Sequence, residues 1–152
     1  MMKFLKQFWI ILIDYLAFKV GNVLIKTLSK DEIIARYLTS SKWFSRENNR
    51  VKHNAFLPPP SMKLSVFRID NLSESKIWEI GQKRVVNKII PPRNLYGRAD
   101  IKTLNILETG LEIHLDNIPP RHADIVNWPN EKSKRKEIAL ELAENASLVL
   151  RT

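Results

Sequence analysis

The chain has 152 residues, 44% hydrophobic and 27% charged, with no cysteine and a formal net charge of +9. Those figures exclude wholesale disorder, a disulfide framework, a zinc ribbon and a thiol nucleophile, and they fit one domain in a reducing, cytoplasmic setting. The cations are uneven: residues 1–61 hold ten Lys/Arg against four Asp/Glu, and residues 62–152 hold fifteen against twelve.

Residues 1–28 are apolar or aromatic around nearly the whole helical circumference, from Phe4, Leu5, Phe8 and Trp9 to Leu24 and Ile25. Asp14 and Lys19 interrupt the run, so no transmembrane span is expected, and Asp14 also spoils a signal-peptide reading. Three fates remain open for this helix: burial in the core, packing on a protein partner, or lying in a membrane surface as a peripheral anchor. Ser29 is placed to cap a second helix, with Ile33, Ile34, Tyr37 and Leu38 at helical spacing. Residues 1–44 therefore read as an N-terminal helical pair. Residues 45–61 read as a linker, polar at first and then extended through Leu57-Pro58-Pro59-Pro60.

Residues 62–152 read as an α+β or α/β body, a small sheet of three to four strands with flanking helices. A strand over 62–69 alternates Leu64 and Val66 against Phe67 and Ile69, which suits an interior position. Asn71 with Glu74 opens a helix through Trp78, Ile80 and Val85, and Asp100 is placed to cap a short helix that closes at Gly110. Residues 111–115 alternate as a strand. Residues 119–129 carry prolines at Pro119, Pro120 and Pro129, which restrict the backbone and predict a stiff loop. Asn130 then caps a helix with Ile138, Leu140 and Leu142 inward, and residues 147–151 form a last strand.

The charge points to a polyanion, most plausibly nucleic acid or a nucleotide phosphate. Lys83, Arg84, Lys88, Arg93 and Arg98 follow one another without an intervening carboxylate, and Lys132, Lys134, Arg135 and Lys136 open the last helix, where free N–H groups favour anions. Arg98 and Arg121 suit bidentate phosphate contacts, Gly97 a close backbone approach, Tyr96 and Trp128 a stacking face, and Arg68 the rim of a pocket at its strand end. Asp100 and Asp124 compete as partners for these arginines. His122, beside Arg121 and near Asp124, invites an alternative as the proton-transfer group of a metal-independent, RNase-like phosphodiesterase. A further alternative is a protein- or membrane-interaction module docking through residues 1–28. Three scattered histidines and no cysteine form no metal-ligand spacing, and no Gly-rich phosphate loop occurs, so neither a metal nor another cofactor is expected.

Overall fold

The computed structural model describes residues 28–152, so the expectations for the first apolar helix fall outside the described residues. The centre of the fold is a six-stranded antiparallel sheet ordered β6-β7-β4-β1-β5-β8. Its strands are β1 (Ile33–Leu38), β4 (Leu64–Arg68), β5 (Gly97–Lys102), β6 (Glu112–Leu115), β7 (His122–Val126) and β8 (Ser147–Leu150). A separate two-stranded ribbon pairs β2 (Phe44–Ser45) with β3 (Arg50–Val51). Among the described residues three α-helices accompany them: α1 (Glu74–Ile80), α2 (Thr103–Leu107) and α3 (Lys132–Asn145). The class is mixed α and β, but the sheet is larger than the three to four strands expected.

The second helix of the expected N-terminal pair is instead β1, the strand between β4 and β5. Ile34 and Leu38 pack on one face while Ala35 and Tyr37 pack on the other. A strand buried on both faces is apolar nearly throughout, and its spacing then also satisfies a helical pattern. Residues 45–61, read as a linker, contain β3 and a 3₁₀ turn (His53–Phe56), and they bury Val51, Ala55 and Phe56. Asp100 lies inside β5 rather than at a helix start, and the short helix begins at Thr103. Residues 122–126, expected in a stiff loop, are strand β7. Leu140 of α3 is 43% exposed rather than inward.

Each sheet face carries its own apolar layer. On the first, Ile34, Leu38, Leu64, Val66, Ala99, Ile101, Ala123 and Ile125 meet Ile106 of α2 and Ala139, Leu142 and Ala143 of α3. On the second, Ala35, Tyr37, Phe67 and Ile69 meet Ile77 and Ile80 of α1, together with Val86 and Leu95. Ser73 caps α1 by accepting from the Lys76 N–H, and the chain continues through a π turn (Gly81–Val85) and a 3₁₀ turn (Val86–Lys88) over the same face. Gly81 is required there: a Cβ would come within 2.6 Å of the Tyr37 ring. Gly97 does not open the backbone to a ligand. It lets β5 approach β8, where a Cβ would meet the Val149 carbonyl oxygen at 2.6 Å.

Candidate active site

The second sheet face is polar toward its β6 edge. Antiparallel register sets Phe67 opposite His122 and Ser65 opposite Asp124, with His114 of β6 opposite Asp124 in turn. Directly opposed residues share a face, and diagonal ones lie within reach of longer side chains. Ser65 and His122 are such a diagonal pair, with Ser65 Oγ 2.8 Å from His122 Nε2. One residue beyond β6, Asp116 places Oδ1 2.7 Å from His122 Nδ1. Asp124 Oδ1 stands 3.6 Å from Nε2. The imidazole is largely covered, with 12% of its side chain exposed, and the Phe67 ring meets it edge-on at 5.3 Å.

Loop geometry holds this chain of contacts. Asp116 Oδ1 also accepts the Ile118 N–H, the His122 N–H donates to the Pro119 carbonyl, and the Asn117 N–H donates to the His122 carbonyl. Burial pushes the Asp116 carboxyl upward, but the bonds from His122 and Ile118 outweigh it and hold the group below its ordinary value. An ionised Asp116 accepts a hydrogen bond from the Nδ1–H of His122, which leaves the Nε2 lone pair to accept from the Ser65 hydroxyl. Serine, imidazole and carboxylate thus form the arrangement in which a base activates a nucleophile and is itself oriented by a third group.

Ser65 is anchored from the opposite face. Registered pairing between β1 and β4 covers Ile34–Arg68 and Ala35–Phe67. Beyond it Arg36 Nη1 donates to the Ser65 carbonyl at 3.1 Å and Nε to the Ala55 carbonyl at 2.9 Å, with the guanidinium over Trp43. Burial lowers the Arg36 pKa to about 10. Ser65 lines a cavity of about 210 Å³ with Arg36, Tyr37, Phe67, Arg84, Val85 and Ile89.

The residues expected to contact phosphate divide between the two faces. Lys83, Arg84 and Lys88 sit on the turns that cross the His122 face, and Arg84 lines the Ser65 cavity. Lys83 pairs with Glu79 at 3.0 Å, and Lys88 and Arg93 are exposed. Lys132, Lys134, Arg135 and Lys136 belong to α3, which packs on the opposite face, so the fold does not unite them with His122. There Lys132, Arg135 and Lys136 border a groove of about 430 Å³ with Leu57 and Pro58; Lys134 pairs with Glu131, and Arg135 donates to the Pro129 and Asn130 carbonyls.

Several of the others are taken up by the fold. Arg98 is 4% exposed, holds Glu74 through two bonds of 2.8 and 2.9 Å, bonds Asp100 at 2.9 Å and lies over the Trp78 ring. Arg68 bonds Glu32 through two nitrogens, and Arg121 donates to the Asp70 carbonyl. Trp128 is buried and donates to the Ile125 carbonyl, while Tyr96 packs against Phe44. Trp128 is thus taken into the core, and Tyr96 is partly covered.

Ser65 and Asp116 were not singled out from the sequence. Period-two alternation was the available signal, since His122, Ala123, Asp124 and Ile125 alternate polar and apolar as a half-buried strand does. The prolines around that stretch had directed it to a loop instead. Asp116, His122 and Asp124 can each also bring one ligand atom to within 4.8 Å of the others, a grouping that separation in sequence concealed. Nε2 of His122 also lies within hydrogen-bond distance of the Ser65 hydroxyl, the contact that proton transfer needs. No protein-family model matches the chain, and neither a curated protein nor a solved structure matches it.

Proposed function

We propose that the protein is a metal-independent hydrolase acting on a phosphate-bearing partner, nucleic acid before others, with His122 as its general base. The observation that carries this reading is the unbroken chain from Asp116 through His122 to Ser65, at 2.7 and 2.8 Å. An imidazole oriented by a carboxylate on Nδ1 has its Nε2 lone pair free to take a proton from a hydroxyl or a water. The net charge of +9 favours an anionic substrate, and Arg84 brings an unpaired cation to the same cavity wall as Ser65.

Binding without turnover is the second reading. It is favoured by the groove on the opposite face, where Lys132, Arg135 and Lys136 flank Leu57 and Pro58. Fluorescence-anisotropy titrations with short single- and double-stranded RNA and DNA across a salt series measure binding, and gel analysis of the same oligonucleotides measures cleavage. Hydrolysis requires cleavage that falls about 10²–10⁴-fold in His122→Ala while folding and salt-dependent binding persist. Cleavage unchanged in that variant sinks the hydrolase reading, and salt-dependent binding with no cleavage leaves the binder.

A further inference from the structure

We propose that Ser65 is the nucleophile of a phosphodiesterase that passes through a covalent seryl phosphodiester, with Arg84 holding the phosphoryl oxygens and the retained apolar ester arm seated in the adjoining cavity. The inference rests on the assignment of His122 as a general base and names the nucleophile and substrate class of that same site.

Three features of the site converge on this assignment. Ser65 Oγ lies 2.8 Å from the basic nitrogen of His122, so the proton that must leave the hydroxyl has an acceptor in place. The cavity that Ser65 lines is about 210 Å³, with Phe67, Val85 and Ile89 as apolar wall and two cations, the exposed Arg84 and the half-buried Arg36 whose guanidinium is held by the Ser65 and Ala55 carbonyls. Of Lys83, Arg84, Lys88 and Arg93, only Arg84 lines that wall, and among the described residues no carboxylate lies within ion-pair distance of it. A guanidinium presents a planar fork that matches two phosphoryl oxygens, and it offsets the charge by which a diester repels a nucleophile. A neutral acyl ester would meet that cation only as its oxyanion develops, whereas a phosphodiester carries its negative charge from the start. Space for one phosphoryl group and one aromatic or aliphatic arm favours a diester.

The step balances without a redox partner. His122 Nε2 takes the Ser65 hydroxyl proton as Oγ bonds to phosphorus; the bond from phosphorus to the leaving oxygen breaks, and that oxygen receives the proton from His122. Water then attacks phosphorus and gives its proton to Nε2, the bond from phosphorus to Oγ breaks, and the proton returns to Oγ. Asp116 is the positioning residue that keeps the Nδ1 proton in place. Asp124, 3.6 Å from Nε2, favours the transient imidazolium.

The test uses the full chain and bis(p-nitrophenyl) phosphate, a diester with an aromatic arm, followed by stopped-flow absorbance and by mass spectrometry of acid-quenched protein. The expected result is a burst of p-nitrophenolate equal to the enzyme present, with a p-nitrophenyl phosphoryl adduct mapped to the Ser65 peptide. Ser65→Ala loses both burst and adduct, and Arg84→Ala raises KM more than it lowers kcat, with partial rescue in Arg84→Lys. Should Ser65→Ala fail to fold, the adduct on the wild-type protein decides alone. Full turnover in Ser65→Ala beside an inactive His122→Ala overturns the nucleophile and leaves His122 as base for a water. Wild-type protein giving neither burst nor adduct also overturns the proposal, while the oligonucleotide assay still decides the role of His122.

Discussion

At the scale of single residues, the protonation state of one ring decides what the site can do. Asp116 fixes His122 as the Nδ1–H tautomer, and its carboxyl is held below the ordinary carboxylate value by the bonds it accepts. The orientation therefore survives until the pH drops below the usual carboxylate range. Asp116→Asn retains the shape but can turn an amide N–H toward Nδ1, which moves the ring proton to Nε2 and removes the base. The expected outcome is a fall of about 10²–10⁴-fold in kcat with an unfolding midpoint lowered only modestly, by the stability that the depressed Asp116 carboxyl contributes, read from steady-state kinetics and urea denaturation. Equal kcat in Asp116→Asn and wild type would mean that the carboxylate only braces the 116–121 loop. Arg98 shows the contrasting case, a cation fully committed to Glu74, Asp100 and the Trp78 ring. Removing it leaves Asp100 partly buried without its partner, at a cost of about 3–5 kcal/mol.

At the scale of elements, β1 determines which parts of the chain fold together. It pairs with β4 through two registered positions and with β5 along its whole length. Without it the sheet separates into β6-β7-β4 and β5-β8, and both apolar layers lose their middle. A fragment of residues 62–152 is accordingly expected to show no cooperative unfolding transition, and Ile34→Ala in the full chain to cost about 2–5 kcal/mol in urea denaturation. A cooperative transition in the fragment would restore the division at residue 61 that the Pro-rich stretch suggested. Strands β4, β6 and β8 were legible because a polar and an apolar side chain alternate or a turn residue brackets them. Strand β1 was not, since two-sided burial erases the period that separates strand from helix. In β7 the polar positions His122 and Asp124 carried the correct period, but the neighbouring prolines outweighed it. The site followed the same division: His122 was visible as an isolated titratable group, whereas Ser65 and Asp116 became its partners only through the register of β4, β7 and β6.

At the scale of the whole molecule, a net charge of +9 makes the acid limb of stability the most revealing one. The bond from Arg98 holds Glu74 below its ordinary value, and the bonds from His122 and Ile118 do the same for Asp116 against its burial. Burial instead raises Asp100 despite the pull of Arg98. A carboxyl whose folded pKa is depressed contributes stability that is present above its unfolded value and is lost as the pH falls through the folded value. Asp100 acts with the opposite sign, because taking up a proton relieves a buried charge. The bond from Lys83 likewise holds the exposed Glu79 below its ordinary value, so three depressed groups oppose one raised group, and each proton gained adds to a positive charge that already repels itself. Stability should therefore fall on acidification through and below the ordinary carboxylate range, measured as the urea midpoint against pH. Glu74→Gln is expected to lower the midpoint at neutral pH and to converge on wild type in acid. The difference should be modest and shrink with added salt, because 66% of the Glu74 side chain is exposed. Parallel curves for the two proteins at every pH would show that the Arg98 contact with Glu74 contributes nothing ionic, leaving Asp100 as the acidic partner that holds that arginine in place.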